Sequence, residues 1–332
     1  MTTDPWKDLT APVNAVSVNA RRVDVRVPWD MFWARSADNR CLLIFRYAGV
    51  TSLSNRPPQL RGIEVTNVLE PAGEHYLLTL KLLDSSYRDL FFRLCMDIVG
   101  ATATAGSERD AVEMALSRTW RWHHLLRGGG DERLSDEEQK GLIGELIVLQ
   151  ELMLESLSIR DAVSAWQGPL GAPKDFEIGR IAVEAKARRG GATPYVAISS
   201  EHQLDRAGTD ALFLRVTELN HGTVDVPDAF SLTSLARSLQ VLVAPDPLAA
   251  DRFEALLLAT GLNWEHDYSD SLWMRGADRC YQVTEGFPCI TPSLYPSGVS
   301  LVRYSVFLKD CEPYAVPEKF VLRLLSGDIH AA

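Results

Sequence analysis

Residues 171–189 read GAPKDFEIGRIAVEAKARR. At their centre, Gly179-Arg180 is a Gly-X pair of the kind a two-residue hairpin turn uses, because glycine takes the positive φ such turns need. With that pair as the loop, Ile178 faces Ile181, Phe176 faces Val183, and Asp175 faces Glu184. Side chains alternate between the two faces of a strand. One face then holds Phe176, Ile178, Ile181, Val183, Ala185 and Ala187, and the other holds Asp175, Glu177, Glu184, Lys186 and Arg188. A slip of one residue would bury the charges. Opposed Cβ atoms lie roughly 5 Å apart, so Asp175 and Glu184 could share one cation.

The chain around this hairpin has 332 residues, enough for one large domain or two to three small ones. It contains no apolar run near the roughly 20 residues that span a bilayer, and its first residues lack a charged-then-apolar export signal. A cytoplasmic protein without a membrane element is expected. The five cysteines, Cys41, Cys95, Cys280, Cys289 and Cys311, are scattered and without zinc-ligand spacing, which fits buried or free thiols in a reducing compartment. The net charge of −10 argues against a general nucleic-acid coat. It leaves room for a local basic patch, whose field reaches roughly 8–10 Å. Lys174, Arg180, Lys186, Arg188 and Arg189 make such a patch around the hairpin.

In chain order, strands are expected near residues 15–18, then at 23–27 (VDVRV), 41–47 (CLLIFRY), 63–69 and 76–83, followed by a helix over 87–99. Loops are expected at Pro57-Pro58 and around Pro71-Ala72-Gly73. A second helix starts at Ser107, with Asp110 three residues on, and stops before Gly128-Gly129-Gly130. Its segment 118–127, RTWRWHHLLR, suits either a nucleic-acid contact or an amphipathic helix with Trp120 and His124 turned inward. Adjacent His123 and His124 point apart on a helix and make a poor metal pair. The expected divisions are an N-terminal α+β domain at 1–127, a core at 131–261 and a strand-rich portion at 262–332. Past the hairpin, strands are expected at 195–199, 211–219, 272–275, 280–283 and 299–308. Helices are expected at 228–239 and at 248–260, the latter with Asp246 as N-cap and Pro247 at N1.

Ser135 and Glu138 form a capping box for a helix over 136–157. That helix is apolar on nearly all sides, with Gly144, Glu151 and Glu155 sharing a polar arc, so it is expected to be buried. Glu145 falls outside the arc, between Leu149 and Leu152. A buried carboxylate must be paired, protonated or bound to a metal; an arginine partner and a metal are both open.

Asp175, Glu184 and Glu145 supply the ligands that a hard cation such as Mg²⁺ takes, and the Ala185 backbone carbonyl could add a neutral oxygen. Lys186 sits on the same face as Glu184, where a lysine can orient or deprotonate a water or steady charge on a phosphate oxygen. The order Glu145, then Asp175 after a proline-containing loop, then Glu184-Ala185-Lys186, resembles the PD-(D/E)XK nuclease superfamily of restriction and repair enzymes. The segments GLIGELIVLQELM, ISSEHQLD and GFPCI look more specifically like a bacterial family of PD-(D/E)XK motif proteins found with restriction and phage-defence genes. The likeness covers most of the chain and is strongest over residues 135–220. One departure is that Lys174 stands between Pro173 and Asp175.

The resemblance implies an α/β (α+β) fold: a restriction-endonuclease-like core of mixed β-sheet flanked by helices, with strand-rich N- and C-terminal portions. It implies Glu145, Asp175, Glu184 and Lys186 as the catalytic set and Gln203, at the start of a helix after the third strand, as an auxiliary contact. Mg²⁺ is the implied cofactor, with Mn²⁺ as a substitute, and DNA the implied substrate. The expected activity is that of an endonuclease subunit in a restriction or anti-phage system. Its expected partners are other protein subunits, an ATPase or helicase among the candidates, with a homodimer also open. The competing reading is a non-catalytic DNA-binding or scaffolding subunit that keeps the nuclease fold. Cleavage of RNA cannot be separated from cleavage of DNA by sequence. Glu177 is left without a role beyond a spare ligand or a salt-bridge partner for Arg188 or Arg180.

Overall fold

The computed structural model describes residues 4–13, 18–24, 26–48, 62–70, 73, 75–126, 133–296, 298–299 and 301–328. They fall into two units, Met1–Asp131 and Glu132–Ala332. In the first, strands β1 (Asn19–Arg22), β2 (Asp30–Arg35), β3 (Cys41–Tyr47), β4 (Ile63–Leu69) and β5 (Tyr76–Leu82) form an antiparallel sheet in the order β1-β2-β3-β5-β4. Helices α1 (Arg88–Thr102) and α2 (Glu108–Leu126) complete the unit, and Phe91, Leu94 and Ile98 pack with Leu43, Phe45 and Leu80 of the sheet. Ser107 caps α2 by accepting from the Asp110 N–H at 3.1 Å.

The alternation at residues 23–27 is not a strand. Asp24 turns the chain there, its carboxylate accepting from the Arg26 N–H at 2.8 Å and its carbonyl from the Val27 N–H at 3.1 Å. Aspartate competes for the backbone in this way, and periodicity does not register it. The strand lies later, at β2, which was not expected. In segment 118–127, Trp122 donates to Asp97 at 2.9 Å and Arg118 pairs with the same residue at 3.2 Å. The orientation of Trp120 and His124, the loop at Pro57-Pro58, the Gly128–Gly130 run and most of the first expected strand lie outside the described residues.

The second unit is built on the hairpin. Strands β6 (Phe176–Ile178) and β7 (Ile181–Arg188) pair with Phe176 opposite Val183 and Ile178 opposite Ile181, the register expected from the turn. Gly179 has φ +58, as the turn requires. β7 runs parallel to β9 (Ala211–His221), and β9 is antiparallel to β11 (Leu272–Gln282). The two-residue β10 (Phe230–Ser231) pairs with β11, and the sheet order is β10-β11-β9-β7-β6. A bulge between Arg275 and Asp278 makes one strand of the two expected at 272–275 and 280–283. This is a mixed sheet flanked by helices, consistent with a restriction-endonuclease-like α+β fold.

Helix α3 (Asp136–Val148) packs on β7. Its capping box is formed: Ser135 accepts from Glu138 N, and Glu138 accepts from Ser135 N. Gly144 does not lie on a polar arc. It is buried where a Cβ would stand 3.1 Å from the Ala187 Cβ, and its missing side chain lets helix and strand approach. The helix widens into a π turn at Leu149–Met153 and ends as α4 (Leu154–Ser156). Three helices were not expected, α5 (Ile159–Ala165), the four-residue α8 (Leu308–Cys311) and α9 (Glu318–Leu325). Helix α6 (Leu232–Val243) starts later than expected, because Ser231 is the cap and Asp228 has φ +66. Helix α7 (Pro247–Ala259) is capped by Asp246 as expected.

Both faces of β7 are covered. Val183 and Ala185 join the core made with α3, α5, α6, α7 and α9. On the opposite face Ala182 joins Leu212 and Leu214 of β9 and Val196 and Ile198 of β8 (Tyr195–Ile198). β8 does not extend the main sheet. It pairs with β12 (Tyr304–Phe307), just before α8 (Leu308–Cys311), in a two-stranded sheet over the face that carries Glu184. The strand expected over 299–308 shortens to β12, and Leu301 before it has φ +59.

On the helix side, buried Arg215 pairs with Glu318 of α9 at 2.6 Å, Glu151 in the π turn at 3.3 Å and Asp278 of β11 at 3.6 Å. Arg275 reaches Glu151 and Asp278 as well. The five cysteines are free, all buried except the partly buried Cys289.

Candidate active site

The hairpin register sets the centre. Asp175 stands one residue before β6, and its Oδ2 accepts from the Ala185 N–H at 2.8 Å, across from Glu184. Its own carbonyl accepts from Gln167 N at 2.8 Å and Gly168 N at 3.0 Å, which ties the preceding loop to the strand start. In an extended strand the N–H and C=O of one residue face the same neighbour, so the Ala185 carbonyl is directed to the Asp175 side.

Glu145 comes from α3. Its partner is not an arginine: Oε2 accepts from the indole N–H of fully buried Trp166 at 2.7 Å. Trp166 is itself stacked on Phe176 of the hairpin, ring centroids 6.5 Å apart. Gly168 shows how near the first two acids lie. A Cβ built there would be 2.8 Å from Asp175 Oδ1 and 3.2 Å from Glu145 Oε2.

Glu184 is fully buried, and apart from Lys186 neither carboxylate oxygen has a partner among the described residues. Its contact is ionic: Lys186 Nζ lies 2.6 Å from Oε1. Lys186 also donates to Gln203 Oε1 at 3.3 Å. That oxygen accepts from Ser199 N at 2.8 Å, so Gln203 is fixed. Gln203 does not open a helix. It sits in a turn after β8, held in part by the Gln203 N–H to Ser200 carbonyl bond at 3.1 Å. The serines and Glu201 around it bond within the turn or to the loop at Tyr295 and Val302, and no helix is nucleated.

The electrostatics follow from three acids and one cation away from water. Burial pushes the Glu145 carboxyl up to about 8; the Asp175 charge adds to the rise, and Trp166 and Lys186 oppose it. Burial also raises Asp175, against the pull of Lys186 and the Ala185 N–H. Glu184 is raised well above the usual carboxylate range by burial, then by Asp175. For Lys186, burial works against the charge, but Glu184, Asp175 and Glu145 outweigh it and raise the pKa. Glu177 is exposed, and the cations considered for it are engaged elsewhere, Arg188 with Glu218 and Arg180 with Asp210.

These shifts predict a pH dependence. A carboxyl raised from 4.5 to about 8 keeps its proton in the folded state while the unfolded chain releases it. Its stabilisation is complete below 4.5 and is lost as pH climbs through about 8. The metal-free protein is therefore expected to melt several degrees higher at pH 5.5 than at pH 8.5, the first about one unit inside that window and the second about half a unit beyond it. The Glu145→Gln variant should flatten the difference. Equal slopes for variant and parent in a calorimetric pH series would refute the assignment.

Among the described residues, no three of the Asp, Glu, His and Cys side chains form a preformed metal cage. Asp175 is drawn to Ala185, Glu145 to Trp166 and Glu184 to Lys186. The donor set still fits a hard divalent ion. Such an ion takes one or two carboxylates and keeps several waters, and Glu184 offers two buried oxygens whose one partner among the described residues is Lys186.

A mixed sheet that brings an aspartate, a glutamate and a lysine together at one hairpin, with a helix-borne glutamate beside them, is the arrangement of a nuclease-like core. A family profile described as "Putative PD-(D/E)XK family member, (DUF4420)" matches residues 2–309, nearly the whole chain, and the chain belongs to that family. No curated protein and no solved structure matches it. No helix among the described residues is long and apolar enough to cross a membrane.

Proposed function

We propose that the chain is a Mg²⁺-dependent endonuclease that hydrolyses DNA phosphodiester bonds, with Mn²⁺ able to substitute. The observation that carries this reading is Glu184, fully buried, with Lys186 at 2.6 Å as the one partner of its carboxylate among the described residues. A scaffold has no use for such a group, because burying a carboxylate against a single ammonium is costly. Asp175 and Glu184 would hold the ion, with Glu145 and the Ala185 carbonyl as further oxygens. When bound, a divalent ion supplies Lewis-acid polarisation of the phosphoryl oxygen and acidifies a water. Lys186 keeps its proton, so its part is to place positive charge where a phosphate oxygen gains negative charge. Gln203 fixes the ammonium. We place the protein as one subunit of a bacterial restriction or anti-phage assembly, working with other protein subunits.

Asp175→Ala is expected to abolish Mg²⁺-dependent cleavage of plasmid and linear DNA while the melting temperature stays near that of the parent. If purified parent protein, with its partner subunits and ATP, cuts no DNA, the reading fails. The second reading is a DNA-binding or scaffolding subunit without catalysis. The lack of a preformed three-ligand cluster among the described residues is what favours it. Titration calorimetry with Mn²⁺ separates the two, since only the first requires an ion bound through Asp175.

A further inference from the structure

Arg188 follows Lys186 by two residues on the same face of β7 and lines a cleft of about 220 Å³ that the carboxylate centre does not use. Val216 forms part of its floor and is the register partner of Lys186, so the cleft begins beside that lysine. Its charged lining is Arg188, Arg279 and Lys309 against Glu218 and Glu312.

We propose that this cleft is an anion subsite that seats a backbone phosphate of the nucleic-acid substrate, next to the phosphate handled at Lys186. The choice of substrate rests on the nuclease reading; the chemistry of the cleft does not.

The acids hold the guanidinium groups and leave donors over. Arg188 is 9% exposed; one terminal nitrogen pairs with Glu218, and the other donates to the Ala192 carbonyl at 2.5 Å. Its Nε–H, also buried, has no acceptor among the described residues. A guanidinium carries five N–H donors, so Arg188 is oriented but incompletely used. Arg279 is treated in the same way, paired with Glu312 through one nitrogen at 3.2 Å. Lys309 is exposed at the rim and has no acidic partner among the described residues. Three cations face two carboxylates, which disfavours a cationic guest, and the polar lining disfavours an apolar one. A phosphate offers several acceptor oxygens to such a set, and arginine is suited to it. Lys186 and Arg188 are about 6.6 Å apart along the strand, close to the separation of neighbouring phosphates on one nucleic-acid strand.

The test is the salt dependence of DNA binding, measured by fluorescence anisotropy in EDTA with a labelled duplex, so that cleavage plays no part. The rim variants Arg279→Gln and Lys309→Gln spare buried Arg188, and circular dichroism checks their folding. Each is expected to weaken binding and to lower the slope of log K against log salt by about 0.9, the value of one phosphate contact. The double variant should lose about twice that. Unchanged slopes in both variants, or a parent protein that binds no DNA, overturn the proposal. Calorimetry with inorganic phosphate and a mononucleotide is the second arm. Loss of small-anion binding with an unchanged DNA slope assigns the cleft to a free anion and also overturns it. A reduced slope in a protein that proves unable to cut DNA upholds the subsite while the nuclease reading falls.

Discussion

Lys186→Ala is expected to reduce cleavage by about 10³-fold and to destabilise the metal-free protein in a pH-dependent way. The lysine stands 2.6 Å from a fully buried carboxylate that has no other partner among the described residues. Removing one partner of a buried pair costs about 3–5 kcal/mol when the other stays charged. Here the remaining carboxylate can escape by taking a proton, and its environment already favours that form. The loss in melting temperature should therefore be large at pH 8.5 and small at pH 5.5. Lys186→Met keeps most of the side-chain volume and should show the same pH dependence, which separates charge from packing. Equal losses at both pH values, or cleavage at the parent rate, would show that Lys186 neither neutralises Glu184 nor serves the reaction.

Gly168→Ala should damage the site from a residue that carries no chemistry. The added methyl would stand 2.8 Å from Asp175 Oδ1, 3.2 Å from Glu145 Oε2 and 3.3 Å from the Asp175 Cα. Contacts that short force a shift, and the carboxylate is the part able to turn. Turning it breaks the 2.8 Å bond from the Ala185 N–H. We expect Mn²⁺ affinity to fall by at least about tenfold, or roughly 1.4 kcal/mol, with about 1–3 kcal/mol lost in stability to overpacking. Gly171→Ala is the control. Gly171 has φ +79 and nothing within 4 Å of the added carbon, so backbone strain alone should lower stability and leave metal affinity as it was. Parent-like Mn²⁺ binding by Gly168→Ala in calorimetry would mean the two acids do not converge as described.

The hairpin was legible because three local rules agree there. A glycine at the turn, strict two-residue alternation and opposed apolar pairs leave one register, and the structure has it. The helix caps at Ser135, Ser107 and Asp246 were legible for the same reason, since each cap acts over three residues. Long-range partners were not. Trp166 lies 21 residues from Glu145, and nothing near either residue marks the bond between them. β12 covers β8 from more than a hundred positions downstream, so nothing local showed that the charged face of β7 is an interior. Gln203 was found by resemblance, but its setting was missed, because local hydrogen bonds from Ser200 and Glu201 outcompete the helix.

The π turn at Leu149–Met153 bears on how relatives of this chain are to be aligned. A π turn accommodates an extra residue within an α-helix, and here it lies between Glu145, which faces Trp166, and Glu151, which faces Arg215. A relative one residue shorter in this stretch would keep the first acid in phase with the sheet. The helix beyond would stay in phase too, because closing the bulge absorbs the deletion, and only residues inside the turn, Glu151 among them, would be re-seated. Arg215 would keep Glu318 at 2.6 Å and Asp278 at 3.6 Å, so a single-residue gap at 149–153 should coincide with loss of the acid at 151 and retention of the arginine at 215.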